Sequence, residues 1–223
     1  MTAPADAGVD PIGRAGASTY IERGRTKRAM DVALLVLLAP VGLPLMLACA
    51  LAIRLVDGPP VFFRQDRIGR DQQRFSMPKF RTMIVGADDL LQDDGSVPAG
   101  VTRITRTGGI LRRTSLDELP QLLAVARGDM SIVGPRPLLP ERNDRLAPED
   151  RRDRARALPG LTGLAQIRGR NTLRWSRRIA LDLEYVRTAS AAGDLRILLS
   201  TAGVVLRGSG VVQDRNPEEV DDL

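Results

Sequence analysis

The chain contains no histidine and a single cysteine in 223 residues. Without histidine, a Ser-His-Asp triad, an imidazole general base and a His-ligated metal are all excluded. Cys49 alone can form neither a disulfide framework nor a cysteine zinc site, and the default setting for such a chain is reducing and cytoplasmic. Aromatic residues are also scarce, at 3%. That argues against a single-stranded nucleic-acid platform, which stacks bases on aromatic rings, and no helix-turn-helix or zinc pattern is present. Acid–base, nucleophilic or metal chemistry must therefore rest on carboxylates, hydroxyls or lysine.

Positive charge is abundant: 33 Lys and Arg stand against 27 Asp and Glu, with a pI near 10.5, and arginine supplies nearly all of it. The expected partner is anionic, which means nucleic acid, anionic lipid or a phosphorylated substrate. A hydrophobic content of 43% is enough for a core. Residues 1–25 read as a disordered leader rich in Ala, Gly, Pro and Ser, and residues 208–223 as an acidic tail.

Between them lies an uncharged stretch from Val32 to Ile53, about 22 residues, long enough to cross a bilayer. Pro40 and Pro44 sit in its middle, where each removes a helix hydrogen bond. Basic residues flank both ends, Arg23 to Arg28 before it and Arg54, Arg64, Arg67 and Arg70 after it, so the positive-inside rule holds both ends in the cytoplasm. A re-entrant helix that breaks at the prolines satisfies both facts. A kinked single span and a buried core helix remain as alternatives.

Further on, Val61-Phe62-Phe63 reads as a strand leading through Gly69 to a hairpin partner at Arg74-Phe75. Lys79-Phe80-Arg81-Thr82-Met83 can present Lys79 and Arg81 to a phosphate or form a solvated basic face. Four arginines surround Gly108-Gly109 just before Ser115-Leu116-Asp117-Glu118-Leu119-Pro120-Gln121, the candidate reaction centre. Ser115 and Glu118 have the spacing of a helix capping box, which accounts for them without chemistry. The same placement suits a carboxylate nucleophile kept ionised among cations, and the residues alone leave both readings open.

Gly128 to Pro137, with two prolines bracketing Arg136, reads as a phosphate pocket or a tight turn. Residues 141–156 read as a solvated charged helix. Pro159-Gly160-Leu161-Thr162-Gly163, with Gln166 and Gly169-Arg170-Asn171, reads as loops that can line a phosphate site. Ile179, Leu183 and Val186 form a helical packing stripe, and residues 194–207 an apolar helix.

Four groups of residues carry a family resemblance across residues 26–207. The first is Lys27-Arg28 with Asp31, then Gly58-Pro59 with Phe62-Phe63 and Gln65. The second is Lys79 to Met83, Leu111-Arg112 and Ser115 to Gln121. The third is Gly128 to Pro137, Pro159-Gly160, Thr162-Gly163, Ala165-Gln166, Gly169 to Asn171 and Trp175. The last is Asp182 with Tyr185-Val186. In this order they resemble the bacterial sugar transferase family, the monotopic phosphoglycosyl transferases that begin glycan assembly on polyprenyl phosphate.

The resemblance implies a mostly α fold with a small β-hairpin. In it a re-entrant helix-break-helix membrane hairpin over 26–56 anchors a cytoplasmic catalytic domain over 57–207 at the inner membrane. It implies that Asp117 attacks a UDP-sugar, that UMP leaves a covalent phosphosugar enzyme, and that polyprenyl phosphate takes the phosphosugar in a step of exopolysaccharide assembly. Mg²⁺ is the implied cofactor, with Asp117 and Glu118 as its ligands and Glu118 acting on the metal or on proton transfer. Lys79, Arg81, Arg112, Arg136, Pro137, Gln166, Arg170 and Asn171 are the implied substrate and phosphate contacts. Membrane lipid is a partner, nucleic acid is not, and a homo-oligomer is compatible with the family.

Three positions depart from the family pattern: Gln72 replaces a frequent glycine, Leu164 a larger aromatic, and Ser176 an acid. The chain resembles the minimal form, without the helical N-terminal membrane domain of longer members.

The flanking charges generate a topology prediction. Cysteines introduced at Thr19 and Gln73 should both be protected from an impermeant reagent in intact cells. Labelling of one position alone would establish a true span.

Overall fold

A computed structural model of the chain describes residues 18–90, 101–169 and 173–206. The expectations placed on residues 1–17, on most of the acidic segment 88–100, on Arg170 and Asn171, and on the acidic tail lie outside the described residues. Residues 18–25, expected to belong to the leader, fold instead. Ser18 caps the short helix α1 (Thr19–Arg23) and donates its N–H to the Val186 carbonyl, and Ile21 is buried in the core. Five residues are too few for a helical period to register in the sequence.

Helix α2 (Arg25–Val56) is one continuous element of 32 residues with Pro40 and Pro44 inside it, so the expected break is not an interruption of the helix. The two prolines are one turn apart and both lie on the exposed face. That outer face is apolar and uncovered, carrying Val36, Leu37, Val41, Leu43, Leu47, Leu51 and Leu55. The helix is long and apolar enough to cross a membrane. Its two ends, however, fasten to the same folded body. Asp31 accepts from the Ser131 hydroxyl and the Ile132 N–H, each at 2.9 Å. At the far end Cys49 and Ile53 pack against Phe80 and Leu111, and Thr107 donates to the Asp57 carboxylate. Between the ends, a Cβ added at Gly42 would come into ordinary van der Waals contact with Leu122.

The hairpin is present and longer than its sequence signal. Strands β1 (Phe62–Ile68) and β2 (Arg74–Phe80) pair antiparallel, with Phe62 opposite Phe80 and Ile68 opposite Arg74. Gln72 tolerates the left-handed turn, φ 60°, that a glycine would take without strain. Its amide donates to the Arg151 carbonyl at 2.7 Å and accepts from Asn143 at 2.9 Å, and these bonds hold the turn.

Helices α3 (Arg106–Thr114) and α4 (Gln121–Arg127) lead to strand β3 (Ser131–Val133), which pairs in parallel with β4 (Gly160–Thr162). The segment expected to be a phosphate-lining loop is therefore partly a strand. Gly134 donates to the Thr162 carbonyl and Gly160 to the Pro135 carbonyl, both at 2.8 Å. The backbones run so close that a Cβ on Gly160 would collide with Gly134, and this packing need accounts for the glycines.

Residues 141–156 form two short helices, α5 (Pro140–Asp144) and α6 (Pro148–Arg154), rather than one solvated helix. Pro148 disfavours helical backbone at the residue before it and separates them. Arg154 is buried rather than solvated. Helix α7 (Leu164–Ile167) precedes α8 (Trp175–Thr188), whose Ile179, Leu183 and Val186 are all buried as the stripe predicts.

The last helix among the described residues, α9 (Ala191–Leu206), holds an acid that its apolar sequence pattern does not reveal as buried. Asp194 is fully buried and pairs with the buried Lys27 at 2.7 Å. Tyr20 and Tyr185 each donate a hydroxyl to the same carboxylate, at 3.0 and 2.8 Å. Removing one partner of a buried ion pair strands the other charge. Lys27→Met should therefore cost about 3–5 kcal/mol in denaturant unfolding of the detergent-purified protein. A loss below about 1 kcal/mol, the range of exposed pairs, would mean that the two tyrosines alone satisfy Asp194.

Candidate functional site

Asp117 and Glu118 lie in a single 3-10 turn (Leu116–Glu118) between α3 and α4. Ser115 closes α3 in the left-handed region at φ 58°, and its side chain caps nothing. The capping box is thus not formed. Pro120 moves the start of α4 to Gln121, and the Glu118 carboxylate turns instead to two cations. Its Oε1 accepts from Lys79 at 3.1 Å and from Arg136 at 2.9 Å. Two bonds to cationic donors outweigh the one bond to an uncharged backbone N–H that the capping box would supply.

Lys79 comes from β2, while Arg136 comes from the loop after β3 and is flanked by Pro135 and Pro137, whose rings fix their own φ. The loop is pinned from both sides. Arg154 donates to the Arg136 carbonyl and pairs with the buried Asp182 at 2.8 Å, and Arg67 donates to the Pro137 carbonyl at 3.2 Å. Pro137 therefore contributes a held carbonyl to the site's scaffold. Burial pushes the Asp182 carboxyl up, and Arg154 opposes that shift. Arg112 reaches the site from α3, its Nε donating to Thr82 at 2.8 Å.

The two neighbouring carboxylates have opposite electrostatics. Burial pushes Glu118 up, but Arg136 and Lys79 outweigh it and hold the carboxyl down at about 2. A group that acidic is an anion near neutrality, held by Arg136 and Lys79. Asp117 is pushed up by burial and then by the charge of Glu118, against the pull of Lys79 and Arg112. No side chain among the described residues hydrogen-bonds the Asp117 carboxylate.

Not every expected contact is here. Arg81 is buried, and its guanidinium donates to the carbonyls of Asp57, Gly58 and Pro59 at 2.6–2.8 Å. Strand β2 ends at Phe80, so the two-residue alternation that would place Arg81 beside Lys79 no longer applies. Arg81 holds the 57–59 turn, and no bond among the described residues joins it to Asp117 or Glu118. Gln166 sits on α7 with both amide atoms buried and unpartnered, and no bond among the described residues joins it to Asp117 or Glu118. Arg67, Arg154 and Asp182 were missed as site residues. A buried arginine can be told from a solvated one only once its partners are placed.

Among the described residues no group of three or more Cys, His, Asp and Glu gathers to form a full metal cage. Mg²⁺ does not require one, since it takes one or two carboxylates and completes its shell with water and substrate phosphate. Asp117 and Glu118 share one turn, and the charge of Glu118, which adds to burial in raising Asp117, is the kind a divalent cation relieves, so the donor set fits.

The site is thus a paired acidic turn with Lys79, Arg112 and Arg136 around it, on a domain fastened to a helix long and apolar enough to cross a membrane. The pattern described as Bacterial sugar transferase matches residues 22–208, and the chain belongs to that family. It is similar to a UDP-glucose:undecaprenyl-phosphate glucose-1-phosphate transferase of Caulobacter vibrioides, at 44% identity over 81% of this chain and 69% of that protein. It is also similar to the uncharacterized sugar transferase EpsL of Bacillus subtilis, at 40% identity over 84% of this chain and 90% of that one. A UDP-glucose:undecaprenyl-phosphate glucose-1-phosphate transferase of Escherichia coli is 40% identical over 78% of this chain and 39% of its own length. The chain is accordingly an enzyme, a sugar-phosphate transferase.

The Glu118 pairing sets a pH dependence. Its folded value of about 2 lies below its ordinary value of 4.5, so the pairing adds stability above about pH 4.5 and loses it as pH falls toward about 2. Wild type should be more stable than Glu118→Gln at pH 7, and the gap should narrow at pH 3. Parallel denaturant titrations test this, and a gap unchanged with pH would place the variant's effect elsewhere.

Proposed function

We propose that the enzyme moves a sugar phosphate from a UDP-sugar to a polyprenyl phosphate of the undecaprenyl type, by two displacements at one phosphorus with Asp117 as the nucleophile. The carrying observation is the contrast between the two carboxylates: Glu118 is neutralised by two cations, while Asp117, half-buried beside it and bonded by no described side chain, is more basic. A carboxylate in that state is a stronger nucleophile than its neighbour. The names of the Caulobacter and Escherichia relatives supply the donor and acceptor classes.

In the first displacement an Asp117 oxygen bonds to the sugar-linked phosphorus. The phosphoanhydride P–O bond breaks, and its electron pair leaves on UMP. In the second, a phosphate oxygen of the polyprenyl phosphate attacks the same phosphorus. The acyl-phosphate bond breaks, the carboxylate is restored, and the product is a polyprenyl diphosphosugar. Neither step requires a proton from the protein, which fits a chain without histidine and a Glu118 that stays ionised. Glu118 holds Lys79 and Arg136 in place, and Arg112 stands on the Asp117 side, so the site is preorganised for phosphoryl charge. Mg²⁺ when bound would be held by Asp117 and Glu118 and would neutralise charge on the diphosphate.

The same reading places the enzyme on the cytoplasmic face of the inner membrane as a monotopic protein. Helix α2 would bury its apolar outer face in lipid while both of its ends stay with the one domain, a re-entrant attachment supported by the basic flanks.

Asp117→Asn decides the nucleophile. With a UDP-sugar and no acceptor, wild type should release one UMP per enzyme and gain the mass of a phosphosugar, and the amide variant should do neither. The substitution preserves shape and removes no side-chain bond, so its unfolding midpoint should shift little. An adduct on the variant in intact-protein mass spectrometry would move the nucleophile elsewhere.

A further inference from the structure

The cations around Arg136 outnumber the carboxylates available to balance them. Lys79 and Arg136 share Glu118, and Arg154 takes Asp182. Arg67 spends its terminal N–H groups on uncharged oxygens, the Pro137 carbonyl at 3.2 Å and the Gln65 side chain at 2.5 Å. Its Nε is buried without a partner. Arg178 donates its Nε to the Leu173 carbonyl at 3.0 Å and lies over the Trp175 ring at 5.0 Å from its centre.

Arg67 is bonded to the carbonyl of Pro137, the residue after Arg136, and Arg178 lies one turn along α8 from Asp182, whose partner Arg154 donates to the Arg136 carbonyl. Burial, and then Arg136, brings Arg67 down to about 10, and burial followed by Arg136 also lowers Arg178. On the Arg67 side Glu118, already shared by Lys79 and Arg136, and Glu141 oppose this. On the Arg178 side Arg142 adds to it, and the opposing carboxylate is Asp182, one turn along α8 and already engaged by Arg154. Like charges assembled by neutral anchors are unfavourable until an anion joins them. The anchors also fix the planar forks in advance, which is what phosphate recognition by arginine requires.

We propose that Arg67 and Arg178, beside Arg136, form a second anion subsite that takes the nucleoside-linked phosphate of the donor. This rests on the UDP-sugar reading above and adds to it a division of labour. Lys79 and Arg112 lie near the attacked phosphorus beside Asp117, and Arg67 and Arg178 receive the phosphate on which charge develops as UMP departs. Negative charge appearing there would be met by cations already in position.

The test is calorimetric binding of UDP and of uridine to the full chain in detergent, comparing wild type, Arg67→Gln, Arg178→Gln and Arg67→Lys. Wild type should bind UDP at least about tenfold tighter than uridine, and each glutamine variant should lose about that factor for UDP alone, the scale of one charged hydrogen bond. Arg67→Lys should recover part of the loss because it keeps the charge. Uridine binding checks that each variant still folds. Equal losses for uridine and UDP would mark a structural role and overturn the subsite. Wild-type UDP affinity in a glutamine variant removes that residue from it. UMP release from a UDP-sugar by wild type is scored separately. Release with unchanged UDP binding in both variants would sink the subsite alone, whereas no UDP binding by wild type would sink the donor class and the subsite together.

Discussion

The buried ion pair between Lys27 and Asp194 joins α2 to α9, and a line of contacts runs from it to the candidate reaction centre. Tyr185 donates to Asp194 and also reaches the Val133 carbonyl, so the pair is tied to β3. Asp31, one turn along α2 from Lys27, holds the same strand through Ser131 and Ile132. Three residues beyond Val133, the chain delivers Arg136 to Glu118. The N-terminal end of the apolar helix and the electrostatics of the site are thus parts of one network. Two charges taken out of water are tolerated here because every oxygen of Asp194 has a donor and the Lys27 ammonium lies near two tyrosine rings.

At the centre, adjacent residues of the same chemistry are pushed apart by their surroundings, a recurrent way of dividing tasks between carboxylates. Glu118 gathers two cations and is fixed as an anion. Asp117 shares the burial without the direct bonds, and the negative charge beside it raises its basicity further. A left-handed Ser115 makes this possible by ending α3 abruptly, so that the two carboxylates sit in a separate turn and not along a helix.

Several errors of expectation have one physical source. Arg81, Arg154 and the glycines of Pro159 to Gly163 look from the sequence like surface cations and a phosphate loop. In the fold they satisfy backbone carbonyls, a buried carboxylate and a close strand crossing. A polar or small residue reads the same whether it awaits a ligand or completes the interior, because what decides is a partner far away in the chain.

The amino-acid sequence by itself determined what depends on local pattern and on composition. The apolar run of α2, the hairpin, the packing stripe of α8, the exclusion of histidine and zinc chemistry, and the pairing of Asp117 with Glu118 all follow from residues close together along the chain. Only the tertiary structure decided which cations meet which carboxylates. Lys79 and Arg136 are separated from Glu118 by 39 and 18 positions, and Lys27 from Asp194 by 167. Charge interactions fall off with distance in space and not along the sequence, so those assignments, and the opposite proton affinities they impose on two neighbouring carboxylates, exist only once the chain has folded.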